Sequence, residues 1–186
     1  HQQPNSSIER KIMLADTVCD ALGNVKTTHN SNSSGYSKWQ VLDFILHGFV
    51  VGASVALTPL ERMRVSHPPA GESNFQVFYQ LLSACHQDAE LARELHVENT
   101  SFKWLPAVDS QSRMPKFDGF IAALDGLGFG SDEQSSILRI LAAIMHLGNM
   151  ECIPSIQGND ASESSGNFAA DLLGITVSSL LDALTN

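Results

Sequence analysis

A short polar run, residues 30–38 (NSNSSGYSK), contains the side chains whose types and spacing could do chemistry. Hydroxyls, amides and backbone N–H groups crowded into one loop can surround an anion or complete the oxygen shell of a magnesium ion. Clusters of Ser, Asn and Gly between periodic segments are also typical of plain surface loops. The run by itself leaves both interpretations open.

The segments around this run favour the first interpretation. In chain order they are ALGNVKTT (21–28), VGASV (51–55), LERMRV (60–65), GESNFQVFYQLL (71–82) and LAAIMHLGN (141–149). Together they resemble the motor head of the myosin family, from about Ile8 to Leu184. Within that family, GESNF and the divergent polar loop are similar to the unconventional class XVIII branch.

The resemblance implies an α/β fold that is mostly α. The chain would be a fragment of the P-loop NTPase fold of the myosin head, running from the helix before switch I into the upper actin-binding subdomain. Residues 7–65 would hold that helix, the switch I loop and a strand pair of the central sheet, and residues 66–186 would form the helical upper subdomain.

The resemblance also implies roles for the polar run as a switch I loop binding ATP and Mg²⁺ in the complete motor. Asn30 would hydrogen-bond the phosphates, and Asn32 would shape the loop around them. Ser33 would sit beside the attacking water as the catalytic group, and Ser34 would ligate magnesium. Lys38 matches a family lysine at the end of the loop and is assigned no catalytic role.

Departures from the family pattern weaken the expected chemistry. Gly35 stands where the family has an Arg that pairs with the switch II acid, and Ser37 replaces a Gly. The phosphate-cradling string GxxxxGK followed by Ser or Thr does not occur, and the resemblance assigns no segment of this chain to switch II. Loss of one preorganised charge can lower a rate by orders of magnitude, so we expect slow hydrolysis even in the complete protein.

Three functional interpretations therefore stand. The first is part of a myosin-type ATPase motor in the cytoplasmic cytoskeleton, with actin filaments and the rest of the heavy chain as partners. The second is a non-catalytic myosin-like module that tethers actin or acts as a scaffold. The third, which ignores the resemblance, is a helical interaction domain with a small sheet.

The elements that must position the loop follow from periodicity. An apolar stripe at Ile8, Ile12, Ala15, Cys19 and Leu22 predicts a helix over 7–22, with Ser6 and Glu9 at capping-box spacing and Gly23 as its stop. Alternation predicts strands over 39–46 and 49–57, with a turn at His47-Gly48 and either a sheet edge or the strand end at Pro59.

Farther along the chain, helical patterns predominate. We predict an extended segment over 60–65, loops over 100–113 and 151–166, and helices over 74–85, within 86–99, and over 115–127, 131–147, 168–173 and 178–184. Apolar residues cover most of the 131–147 helix, which predicts a helix buried on all sides, with His146 as a hydrogen-bonded core residue. Phe102 and Trp104 are expected to anchor the first loop.

Bulk properties exclude several classes of protein. A length of 186 residues allows one or two domains. A formal net charge of −9 argues against broad binding to nucleic acid or anionic membranes and leaves a local basic patch open. No apolar run is long enough to span a bilayer. Cys19, Cys85 and Cys152 are too dispersed for a disulfide framework or zinc site and are expected to be free thiols. The chain starts at His1 without Met, which we interpret as a fragment or a processed form.

Overall fold

The computed structural model describes residues 7–107, 116–150 and 160–185. One helix precedes two antiparallel strand pairs and the other described helices follow them, which confirms an α/β fold that is mostly α. The elements are α1 (Ser7–Gly23), β1 (Asn24–Val25), β2 (Ser33–Ser34), β3 (Lys38–Phe44), β4 (Val50–Leu57), α2 (Met63–Ser66), α3 (Gln76–Gln87), α4 (Ala89–Glu94), α5 (Phe117–Leu127), α6 (Ser131–Leu147), α7 (Asp160–Leu173) and α8 (Val177–Thr185).

The chain divides into two compact units. The first comprises His1–Val77 and Ala107–Gly130, and the second comprises Phe78–Pro106 and Ser131–Asn186. Ser6, Cys152 and the segments 108–115 and 151–159 lie outside the described residues, so the predictions made for them are not tested.

Helix α1 of the first unit packs on α5 and leads into the polar run. The helices approach closely at Gly126, where a Cβ atom would lie 2.6 Å from a methyl carbon of Leu14. The predicted stripe is half-buried up to Cys19, but Leu22 is exposed and Ala21 is buried instead. The last turn differs because the Tyr36 ring lies against Gly23, where a Cβ atom would approach it to 2.3 Å.

Strands β3 and β4 form the predicted hairpin. Their register runs from Lys38 opposite Leu57 to Phe44 opposite Val50, with an irregularity between Asp43 and Phe44. The turn at His47-Gly48 and the strand end before Pro59 are confirmed, since both turn residues have positive φ and β4 ends at Leu57. Most of the hairpin is exposed, so the apolar residues do not mark one buried face.

The extended segment predicted over 60–65 is wrong at its end, because Met63–Ser66 forms helix α2. Arg64 explains the helical turn. Its guanidinium pairs with Glu61, three residues earlier, at 2.8 Å, and spacing of three favours a helical backbone.

The second unit is built on α6 and α7, which pack together. Leu141, Ala142, Ala143 and Met145 are buried, but Ile140 is 50% exposed, so the prediction of a helix buried on all sides is wrong. One side of α6 faces α7, and Ile140 lies elsewhere on its circumference. His146 is confirmed as a core residue: its ring nitrogen Nε2 lies 3.1 Å from the Leu95 carbonyl oxygen. Trp104 is also an anchor, since its indole N–H donates to the Met145 carbonyl at 3.0 Å.

Two further boundaries differ from the predictions. Helix α3 begins at Gln76 rather than residue 74, and Leu81 rather than Leu82 is its fully buried leucine. Helix α7 begins at Asp160, within the predicted 151–166 loop. Gly174 has a φ of 67° and separates α7 from α8 as predicted. Of the described helices, none is individually long and apolar enough to cross a membrane, although α7 from Ser164 and α8, joined at a 102° bend, pass that test as a pair by length and composition.

Candidate functional site

The polar run follows β1, and hydrogen bonds to side chains of the run and of Thr27 close its turn. The Asn30 backbone N–H donates to the Thr27 hydroxyl at 3.0 Å, and the Asn30 carbonyl accepts the Thr27 N–H at 2.8 Å. The Asn30 side-chain oxygen accepts the Asn32 N–H at 3.0 Å. Asn side chains commonly close turns this way. The loop therefore has a defined conformation although Asn30 and Asn32 are exposed.

Asn32 is held from the interior of the first unit. Its side-chain oxygen accepts two hydrogen bonds, from the Asn24 amide at 3.0 Å and from the Gln76 amide at 2.9 Å. Both donors are buried, so the loop is connected through Asn32 to the protein interior.

Ser33 and Ser34 form strand β2, in which they pair with Val25 and Asn24 of β1. Ser33 is half-buried and Ser34 is exposed. Within the described part of the chain, neither hydroxyl makes a hydrogen bond. The backbone pairing fixes both residues and leaves their two hydroxyl oxygens available to a ligand.

Gly35 is enclosed by backbone and ring atoms. Its N–H donates to the Gly23 carbonyl, and its carbonyl accepts the Glu61 N–H, both at 2.9 Å. A Cβ atom at Gly35 would lie 3.0 Å from the Gly23 oxygen and 3.1 Å from a ring carbon of Phe75. Any side chain at this position would force these neighbours to move by a few tenths of an ångström.

The end of the loop is anchored on α1 and on Thr58, the residue after β4. The Tyr36 hydroxyl donates to Asp20 at 3.1 Å, and burial together with this bond raises the pKa of Tyr36. Lys38 pairs with Asp16, and the Ser37 carbonyl accepts both the N–H and the hydroxyl of Thr58. The Lys38 ammonium is thus engaged on α1.

An ionic network around the buried Arg64 supports the start of the loop. Arg64 is almost fully buried and pairs with Glu61 and Glu72, each at 2.8 Å. The hydrogen bond from Arg64 holds the pKa of Glu72 below its usual value. Glu72 in turn accepts the Thr28 N–H at 3.4 Å, so this network reaches the loop backbone.

Sequence analysis did not single out several of these supporting residues. Arg64, Glu72, Asn24 and Gln76 all lie inside segments that carried the family resemblance, but their roles depend on contacts between residues far apart in the chain. The only local signal was the spacing of three between Glu61 and Arg64. The described residues contain no group of three His, Cys, Asp or Glu side chains placed to hold a metal ion. The run does bring Asn30, Asn32, Ser33 and Ser34 together in one fixed stretch of backbone.

Comparison with known proteins gives a consistent result. The family model described as the myosin head (motor domain) matches residues 1–186. The chain is 35% identical over 186 residues to the non-muscle myosin-2 heavy chain of Acanthamoeba castellanii, covering 93% of this chain and 12% of that protein. It is 34% identical over 194 residues to myosin-5 of Arabidopsis thaliana (96% and 12%) and 32% identical over 183 residues to unconventional myosin-XIX of mouse (95% and 19%). The chain thus spans less than a fifth of the length of these relatives, and the class XVIII resemblance stays a prediction.

Proposed function

The chain belongs to the myosin head family, and from that membership we propose that it is part of an actin-based, ATP-dependent motor to which residues 30–38 contribute the switch I nucleotide-binding loop. Its partners would be actin filaments and the rest of the heavy chain, and its place the cytoplasmic cytoskeleton.

The observation that carries this proposal concerns the backbone and the hydroxyl groups of Ser33 and Ser34. Their backbone is fixed by pairing with β1, while their hydroxyls make no hydrogen bond to the described residues. Hydroxyl oxygens suit a hard cation such as magnesium, which favours oxygen ligands. The donor set of the loop therefore fits a magnesium nucleotide.

Each residue then has a role that matches its position. Ser34, the exposed member of β2, would provide the oxygen ligand for magnesium, which when bound neutralises phosphate charge. The Ser33 hydroxyl would orient the attacking water. Asn30 can offer its side-chain amide N–H to a phosphate oxygen, since its oxygen is already engaged with the Asn32 N–H. Asn32 would keep the loop in shape.

The absence of a side chain at Gly35 separates binding from hydrolysis in this proposal. The groups assigned to phosphate and magnesium are present, whereas the cation that would close the site around water is missing. We therefore expect tight enough binding to measure and a slow chemical step.

Substitution of Ser34 tests the proposal in a chain that also carries the flanking motor segments. Ser34→Ala is expected to weaken binding of a fluorescent Mg·ATP analogue by about tenfold or more, because a ligand to the cation is lost. Ser37→Ala is the matched control, since Ser37 is exposed and contributes only its backbone carbonyl to the contacts described above. Control and unmodified protein should bind equally. No binding by the unmodified protein would support the non-catalytic scaffold instead.

A further inference from the structure

We propose that Gln76 is a positioning residue for the candidate nucleotide loop. Gln76 and Asn24 donate to one oxygen of Asn32, and we name these three side chains the carboxamide clamp. The clamp would hold residues 30–34 in the conformation that presents Asn30, Ser33 and Ser34. What the loop binds rests on the proposed function, but the clamp itself is testable without it.

The two hydrogen bonds join the interior to the surface. Gln76 is 0% and Asn24 is 3% exposed, whereas Asn32 lies in an exposed loop. A carbonyl-type oxygen has two lone pairs, and here both receive a donor. Water cannot easily replace Asn32 as partner for two buried amides, so releasing Asn32 would leave these donors unsatisfied.

Gln76 is itself held firmly against the start of the loop. In the segment just before it, the Ser73 N–H donates to the Lys26 carbonyl at 2.9 Å, and the Ser73 hydroxyl accepts the Lys26 N–H at 2.7 Å. Phe75 forms an antiparallel bridge with Val25. These contacts hold the residues just before α3 against Val25 of β1 and the adjoining Lys26, so the Gln76 amide reaches Asn32 from a fixed base.

Two atoms of the carboxamide clamp that lack hydrogen-bond partners among the described residues favour a positioning role. The side-chain oxygens of Asn24 and Gln76 are buried and have no hydrogen bond to the described residues. Buried polar atoms without partners are costly and uncommon in proteins. An apolar pair would fill this interior without that cost, whereas the two amides supply the donors that Asn32 needs.

Holding the Asn32 side chain affects the candidate ligand residues on either side of it. Its N–H donates to the Asn30 side chain, and the next two residues are Ser33 and Ser34 of β2. Fixing the Asn32 side chain therefore constrains the candidate ligands on both sides of it.

Amide hydrogen exchange of the nucleotide-free protein tests the clamp, with the flanking motor segments present. Gln76→Met keeps the length of the side chain and removes the donor. We expect amides of residues 30–36 to exchange about tenfold faster, since one neutral hydrogen bond is worth about a factor of ten. Gln80→Met is the matched control, because Gln80 lies one turn later in α3, is also buried, and has an amide without hydrogen bonds to the described residues. It should leave exchange in this segment unchanged.

Nucleotide binding and a double mutant separate positioning from a general loss of stability. Gln76→Met should weaken Mg·ATP-analogue binding by about tenfold, because the competent loop is less populated. In an Asn32→Ala background, Gln76→Met should have no further effect on exchange or affinity, since the two residues act through one contact. Gln76→His keeps an N–H donor and should restore slow exchange.

The outcomes distinguish this inference from the proposed function. If the unmodified protein binds no nucleotide, the proposed function fails while the exchange data still decide on the clamp. Exchange within twofold of the unmodified protein in Gln76→Met, or equal acceleration in Gln80→Met, would overturn the clamp. If Gln76→Met does not fold, Asn32→Ala at the exposed end must show the same acceleration, and unchanged exchange there would also overturn it.

Discussion

Gly35 shows how a single position can constrain both chemistry and packing. Its two backbone hydrogen bonds connect the last residue of α1 with the segment before α2, and its Cα faces the Gly23 carbonyl and the Phe75 ring. The local packing thus depends on the absence of a side chain at this position. The Cβ atom of an added side chain would lie 3.8 Å from a carboxylate oxygen of Glu61.

Replacing Gly35 by Arg should raise the single-turnover rate of ATP hydrolysis and change Mg·ATP affinity by less than about tenfold. A group engaged mainly in the transition state changes rate more than ground-state binding. Quench-flow of a chain with the flanking motor segments, including an acid in the partner switch, measures this. Gly35→Ala carries the steric cost without the charge and should not raise the rate. Rapid turnover by the unmodified Gly35 protein would contradict the expectation.

Among the elements, α6 organises the second unit. It packs against α7, its His146 reaches the Leu95 carbonyl, and Arg139 donates to the carbonyls of Asp171 and Leu172 at the end of α7. The last carbonyls of a helix carry partial negative charge, so a cation there is favourable. The Asp171 carbonyl also accepts the Gly174 N–H at 3.0 Å. The stabilising contacts of α6 therefore lie mainly on its buried side, and its exposed side contributes little to stability.

Adjacent residues of α6 provide a matched pair for this claim. Leu141→Asp should lower the free energy of unfolding by about 3 kcal/mol or more, because it places an unpaired charge in a core position that is 6% exposed. Ile140→Asp, at a half-exposed position, should cost less than about 1 kcal/mol. Denaturant unfolding of both variants measures the difference. Equal losses would show that the burial of α6 is not one-sided.

For the whole molecule, local patterns predicted most elements and few of the contacts that shape the site. The β3–β4 hairpin, α5, α6 and the Gly174 break follow from periodicity and turn residues, which act over short distances in the chain. Periodicity does not predict helix α2, because its turn depends on the pairing and burial of Arg64. The exposure of Ile140 and the connection from Gln76 to Asn32 depend on which surfaces meet, and no periodic pattern records that. The resemblance predicted a candidate site in the loop, but not the contacts that hold it.

The hairpin also governs the expected behaviour of residues 1–186 expressed alone. Trp39 is 71% and Phe44 is 59% exposed, and an isolated two-stranded sheet is marginally stable in water. Open edges and apolar side chains favour pairing with other chains. We expect low solubility and irreversible thermal unfolding, measured by calorimetry and light scattering. Trp39→Lys with Val41→Lys should reduce scattering, whereas a cooperative and reversible transition of the unmodified chain would contradict the expectation.

The long sequence separation of the contacts at the loop has a consequence for biosynthesis. Gln76 follows Asn32 by 44 residues, and Ser73 follows Lys26 by 47. As the chain leaves the ribosome, the loop emerges first and the β3–β4 hairpin next, and the hairpin can close on neighbouring residues alone. The loop must wait until the start of α3 has been synthesised, and closing so large a segment carries an entropic cost that a hairpin avoids. The part of the chain proposed to meet the nucleotide is thus translated before the residues that give it its shape.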